Sequence, residues 1–438
     1  MTSPTRAPAS RRSRRLIGLV VISLGLSLLL CTLGAFRVIQ PLLTPRTATP
    51  SAGTLTIVSD LPMSGAEPTQ PIVRAMQLRF DQAHNRACGG RYALRYEAWD
   101  DASPAAAGWD PVLETANARR AAADPSVIAY LGPFNSGAAR LSIPILDQAG
   151  TLVMISLGNT YPGLTKSIGA APGEPDVYYP ANVRNYVRLT AADDVQGAVA
   201  ARFVHDQLHA NTVYILDDHQ PYGTGVAEAF QAAAGPIGLT VLGRASIDPN
   251  AANYRALMGK ISLSNGGRPP DAVFVAMLVD SNASQVLKDK VSLMGDNARV
   301  KYVGPAGIRV QAFVDGASLR VAEGVYASQP GLTFDQLPAL GQQFKRDYDA
   351  KYGGQLNDIN AAYGYEAMNV ALDAVESVCA AGGDPAIRRA VRDAVFNIRN
   401  FTGVLGAWSF DPNGDISLTG TTFYQVQGGQ FVLVGQFK

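Results

Sequence analysis

Two short loops concentrate groups suited to gripping a small molecule: GPFNSG at 132–137 and SLGNT at 156–160. Both are rich in hydroxyls, amides and glycine, and neither holds a charged side chain. Ser136 stands where a helix should open, beside free backbone N–H groups and the positive end of the helix dipole. That is a ready site for a carboxylate or other anion. The plainer alternative is that Asn135 and Ser136 only cap the helix. Gly158, Asn159 and Thr160, on the neighbouring strand end, turn the balance towards binding.

The other patterns carry less. Tyr222 precedes Gly223-Thr224-Gly225 and offers an amphipathic ring that can close over a ligand. The glycine pair lacks the third glycine of a dinucleotide fingerprint and the Lys-Ser/Thr of a phosphate loop. His205 and His209 have i, i+4 spacing, but Asp206 stands where a zinc protease needs Glu. Asp411, Asn413 and Asp415 imitate the start of a calcium loop, yet Ile416 occupies the required glycine position and Thr422 the bidentate Glu position. A hairpin turn fits DPNG better. No nucleophile elbow or cysteine zinc cluster is present, and the paired acids Asp100-Asp101 and Asp217-Asp218 end strands. No pattern argues for catalysis, a metal or a cofactor.

The elements around the two loops alternate. An apolar run at 127–131, a helix opened at 136, and a second run at 151–155 form a βαβ unit, with Pro144 expected to kink the helix or mark its end. In such parallel units both loops fall at strand carboxyl ends, where open α/β sheets bind ligands. Strands at 55–59 and 92–99 and helices at 72–85 and 111–123 precede it. A Gly/Pro-rich excursion at 161–180 follows, then strand 186–189 and helix 192–208. Strands at 213–216, 239–246, 272–277 and 300–303 then alternate with helices at 223–234, 252–262 and 283–293. The segment 324–328 leads into helices at 337–352, 359–380 and 385–397, followed by β-like segments at 406–410, 421–426 and 431–435. Two doubly wound units are therefore expected, 54–186 and 187–329. The late helices lie too far along the chain to extend the second sheet simply, so the chain should cross back. The resulting division is 54–186 plus 330–421 for one lobe and 187–329 plus 422–438 for the other.

With 438 residues, 47% hydrophobic and 17% charged, the chain is long enough for two substantial cores. The net charge of +1 hides five arginines (Arg6, Arg11, Arg12, Arg14 and Arg15) ahead of the first apolar run. Without them the remainder is mildly acidic, so no basic surface suggests nucleic acid. The uncharged run 16–36 would span ~32 Å as a helix, enough to cross a bilayer. The arginines predict that residues 1–15 stay cytoplasmic while the body is exported. Three fates fit the run: an uncleaved anchor, lipid attachment at Cys31 despite Leu30 before it, or ordinary cleavage. Residues 37–53, with Pro41, Pro45 and Pro50, read as an extended tether. Cys88 and Cys379 are left either as a disulfide or as two buried thiols.

The segments LGPFNSGAA, ISLGNTYPGLT, ILDDHQPYGTG, GPAGI, VAEGVYAS, AAYGYEAM and FTGVLGAWSFDPNGD, in this order and spacing, resemble the Leu/Ile/Val-binding-protein branch of type I periplasmic binding proteins. The resemblance runs from about Gly53 to the C-terminus. It implies two Rossmann-like lobes joined by three crossovers, acting as the extracytoplasmic receptor of an ABC-type importer with permease subunits as partners. By position it implies that Ser136 and Thr160 hold a ligand carboxylate, that Phe134, Asn135, Gly158 and Asn159 line the same wall, and that Tyr222 closes from the second lobe. Amino-acid-binding members carry an acid where this chain has Ala306, and the aromatic expected near 278–279 is missing. Either another acid (Glu67, Asp217 or Asp280) holds an ammonium, or the ligand lacks an α-amino group. A ligand-sensing ectodomain working with a separate signalling partner is the alternative reading to transport.

Overall fold

The computed structural model describes residues 53–65, 69–104, 108–167 and 170–437. The apolar run at 16–36, Cys31, Glu67 and most of the tether lie outside them. Fifteen strands are present among the described residues: β1 (Thr54–Leu61), β2 (Arg86–Ala87), β3 (Tyr92–Asp100), β4 (Val127–Leu131), β5 (Val153–Ser156), β6 (Tyr186–Arg188), β7 (Thr212–Asp217), β8 (Thr240–Ser246), β9 (Ala272–Ala276), β10 (Lys301–Gly304), β11 (Tyr326–Pro330), β12 (Phe401–Gly403), β13 (Gly406–Trp408), β14 (Thr421–Gln427) and β15 (Gln430–Phe437). The first sheet has the order β2-β3-β1-β4-β5-β6, the second β15-β14-β11-β10-β9-β7-β8, and β12-β13 form a separate hairpin.

The central strands are buried on both faces. VIAYL in β4 and AVFVA in β9 are buried at every position, as parallel strands covered by helices must be. One face of the first sheet packs in a core that includes Ile72, Phe344, Ala367 and Val391, from helices Gln70–Gln82, Ala339–Tyr352, Asn360–Ala380 and Arg388–Phe396. The other face packs on Ala118 and Ile143 of helices Pro111–Ala123 and Ser136–Gln148. The second sheet is likewise sandwiched, with Phe230 on one side and Val286 and Phe313 on the other. Each sheet with its helices is thus one α/β/α lobe.

The chain passes between the lobes three times: after β6, after β11 and before β14. Arg188, fully buried at the first passage, pairs with Asp415 at the third, Nε to Oδ1 at 2.7 Å. Its other nitrogens donate to the Tyr161 carbonyl at 2.8 Å and to Thr165 Oγ1. Lys166 joins Asp415 to Asp194, both at 3.0 Å. Burial pushes the Asp415 carboxyl up, but Arg188 and Lys166 outweigh it and hold the pKa below the usual carboxylate range. Cys88 and Cys379 form a disulfide with Cα atoms 5.7 Å apart, within the first lobe.

Several elements depart from the periodicity reading. Helix Ser136–Gln148 runs through Pro144 to its end. The helix expected at 192–208 changes at Phe203 into a π-turn, Phe203–Gln207. The helix expected at 223 starts at Pro221, whose fixed φ suits a first turn. The β12-β13 hairpin begins earlier than the strand expected at 406–410. At 411–415 the backbone N–H groups of Asn413 and Asp415 bond Asp411 Oδ1, a turn. Among the described residues no helix is long and apolar enough to cross a membrane.

Candidate ligand-binding site

β4 and β5 deliver the two polar loops side by side at their carboxyl ends. Asn135 takes the N-cap position of helix Ser136–Gln148 without a side-chain cap hydrogen bond. Ser136 Oγ instead ties the loops together, accepting the N–H of Thr160 at 3.2 Å and of Tyr161 at 3.3 Å. Both bonds are long, and the hydroxyl retains its own proton for donation. Gly158 must be glycine, because a Cβ there would lie 2.8 Å from both the Phe134 ring and its carbonyl oxygen. The buried Asp193 carboxyl lies beside the Thr160 hydroxyl; burial raises its pKa well above the usual range, and the hydroxyl partly offsets this.

A cavity of about 480 Å³ opens between the lobes, a size typical of small-molecule sites. Phe134, Asn135, Ser136, Gly158 and Thr160 line one side, and Tyr222 and Ala306 the other. Asn159 is a correction. Its amide donates to the carbonyls of Pro133 at 3.0 Å and Phe134 at 2.9 Å, and its oxygen accepts from Tyr186 at 3.2 Å. It therefore braces the wall from behind and does not line the cavity. Tyr222 sits in the first turn of helix Pro221–Ala234, and its hydroxyl accepts the Gly307 N–H at 3.1 Å. A Cβ at Gly307 would come within 2.9 Å of that ring and 2.6 Å of the Met277 carbonyl, so this wall too is built around a glycine.

Further polar residues line the cavity without having been anticipated, among them Thr69, Arg309, Gln329, Asp358 and Asn360. Thr69 Oγ1 is buried with no hydrogen-bond partner among the described residues. Arg309 Nε donates to Gln329 Oε1 at 2.9 Å, and Gln329 Nε2 to Asn360 Oδ1 at 3.1 Å. Asp358 accepts the Asn360 N–H at 3.0 Å and lies 3.9 Å from the Arg309 guanidinium. Burial pushes the Asp358 carboxyl up, partly countered by Arg309. These residues come from segments scattered over the chain, so no local spacing could group them. Arg309, Gln329 and Asn360 each adjoin a recognised segment (GPAGI, VAEGVYAS and AAYGYEAM), but nothing in those segments marks them as cavity residues.

The acids proposed to replace the one missing at Ala306 do not line the cavity. Asp217 is held by Arg244 at 2.7 Å. Asp280 packs against Gly108, with burial raising its pKa to about 6. Glu67 lies outside the described residues. Asp218 accepts the N–H groups of Gln220 and Leu278, each at 3.1 Å, a structural tie. Gly223, packed on the Asp218 carboxyl, belongs to a helix rather than a phosphate loop. Away from the cavity, Asp60, Asp101 and Glu114 form a buried acidic cluster with Tyr130, whose hydroxyl donates to Asp60 at 2.5 Å. Burial raises Asp60 to about 7 and Asp101 to about 8, and holds Glu114 well above its usual range. No cluster of His, Cys, Asp and Glu suited to a metal occurs among the described residues.

Two α/β lobes around a polar-ended cavity define a solute-binding protein. The family description "Periplasmic binding protein" matches residues 56–430, and the chain belongs to that family. It is 23% identical to a Leu/Ile/Val-binding protein of Rhizobium johnstonii over 311 residues, 69% of this chain and 74% of the relative. Its fold matches the branched-chain amino acid transporter substrate binding protein of Streptococcus pneumoniae in complex with isoleucine (TM-score 0.69, 20% identity, 87% of this chain and 99% of that one). It also matches a solute binding protein of an ABC transporter from R. palustris in complex with benzoate (TM-score 0.66, 18% identity, 88% and 96%). Each of these similar proteins is named as a binding protein.

Proposed function

We propose that this protein is the extracytoplasmic receptor of an ABC-type importer, closing two lobes (54–186 with 330–421, and 187–329 with 422–438) around an amino acid or related small carboxylate. One observation carries the reading: Ser136, at a helix N-terminus, lines an interlobe cavity that Tyr222 and Ala306 line from the other side. A carboxylate there would take charge-assisted hydrogen bonds from Ser136 and from backbone N–H groups near Thr160. The isoleucine and benzoate complexes of structural relatives support a carboxylate of modest size. Residues 16–36, or lipid on Cys31, would hold the receptor at the membrane beside its permease subunits.

The test is thermal unfolding of the purified full-length chain against amino acids, deaminated analogues and aromatic acids. A true ligand at a hundredfold excess over its Kd stabilises the fold by about 2.7 kcal/mol. Ser136→Ala should still unfold cooperatively, at a lower ligand-free melting temperature because the Thr160 and Tyr161 N–H groups lose their acceptor, and should lose that increment. Unchanged affinity in the variant would rule out the carboxylate site.

A further inference from the structure

We propose that the ligand carries an acidic group at each end and no ammonium, a small dicarboxylate whose distal carboxylate is read by Arg309. The inference rests on the receptor reading above and specifies its ligand class.

The charge lining the cavity supports it. Asp358 is the only carboxylate among the described lining residues, and its oxygen already serves the N–H of Asn360 and faces Arg309. A ligand ammonium seeking Asp358 would have to sit beside the guanidinium, a like-charge contact in a partly dry site. Arg309 offers the opposite. Of its five N–H donors one is committed, Nε to Gln329 Oε1. The Gln329–Asn360 bond fixes that acceptor in turn, so the guanidinium is held in one orientation. Its side chain is only 14% exposed, and the Tyr424 ring backs it at 4.9 Å. Such a fixed fork matches the two oxygens of a carboxylate.

The helices add to this. Helices Gln70–Gln82, Ser136–Gln148, Pro221–Ala234 and Asn360–Ala380 all begin at the cavity, through Thr69, Ser136, Tyr222 and Asn360. Each brings the partial positive charge of its N-terminus. The buried Thr69 hydroxyl, without a hydrogen-bond partner among the described residues, lies at one of these starts. One guanidinium and four helix N-termini face one committed carboxylate. That balance suits a dianion better than a zwitterion. Ile72, Phe134, Leu157, Leu278 and Ala306 add apolar surface to the lining, as a hydrocarbon spacer requires.

The experiment measures calorimetric Kd values for matched sets on the purified full-length chain: glutarate, valerate and 4-aminobutyrate; adipate, hexanoate and 6-aminohexanoate; terephthalate, 4-methylbenzoate and 4-(aminomethyl)benzoate; and leucine. At least one diacid should bind at least about tenfold more tightly than its monoacid, ~1.4 kcal/mol. Arg309→Gln should erase that preference, and Arg309→Lys should keep part of it. Asp358→Asn should strengthen diacid binding. Ser136→Ala should weaken monoacid and diacid together. The proposal is overturned if no diacid exceeds its monoacid, if an ammonium-bearing member of a set or leucine binds best, or if Arg309→Gln leaves the preference intact. If Ser136→Ala changes nothing while Arg309→Gln still erases a diacid preference, the Ser136 carboxylate site fails and the Arg309 assignment stands.

Discussion

At the scale of single residues, the cavity separates groups held for stability from groups held for a ligand. Thr69 shows the difference. Its buried hydroxyl makes no hydrogen bond within the described protein, and such a group costs stability until something binds it. Thr69→Val should therefore leave the ligand-free melting temperature unchanged or raise it, while weakening ligand binding by about 0.5–1.5 kcal/mol. Calorimetry beside thermal unfolding separates the two effects. The acidic cluster gives the reverse case, stability without binding. Asp60, Asp101 and Glu114 have pKa values raised by burial, so the fold holds their protons more tightly than the unfolded chain does. Their favourable contribution is complete below the unfolded carboxylate range and is lost as pH rises through about 7 and about 8, the raised values of Asp60 and Asp101. Melting temperature should fall between pH 5 and pH 8, and Glu114→Gln should flatten that slope. A slope of opposite sign would contradict the protonated cluster.

Elements carry the next level of argument. Glu366, on helix Asn360–Ala380, accepts from Trp408 Nε1 at 2.9 Å and from the backbone N–H groups of Val404 and Leu405. Through it the β12-β13 hairpin is fastened to the helix that starts at the cavity. Glu366→Ala would strand three buried donors and should cost ~3 kcal/mol or more, measurable by denaturant unfolding. Nothing near Glu366 in sequence announces this, because its partners lie some forty residues away. The βαβ unit was legible for the opposite reason. Its strands, helix and turns lie within one continuous stretch, and parallel geometry sends both loops to one edge. That is why the Ser136 wall could be read and the Arg309 end could not: Arg309, Gln329, Asp358 and Asn360 converge only after the chain has crossed between lobes twice. Tyr222 falls between these cases. Its identity was readable, but Pro221 starts the helix earlier than glycine spacing suggested.

Over the whole molecule, two cross-links act on different things. The disulfide joins Cys88 to Cys379 within one lobe, so it should hold that lobe together without restraining closure. Cys379→Ser should lower unfolding stability by about 2–5 kcal/mol and leave ligand affinity unchanged. Arg188 and Asp415 join two of the three passages between lobes. Arg188→Met, which leaves a buried carboxylate with Lys166 alone, should cost ~3–5 kcal/mol and broaden the interlobe distance distribution measured by spin labels on the two sheets.

The burial of that pin has a further meaning for a protein facing changing surroundings. Dissolved ions cannot reach Arg188, so they cannot loosen the pivot by screening it. A ligand entering the cleft crosses solvent first, and there the pull of the helix ends on the proposed anion weakens as salinity climbs. Swings in the ionic strength of the medium would then retune how fast the proposed anionic ligand loads, while the path the lobes travel stays the same.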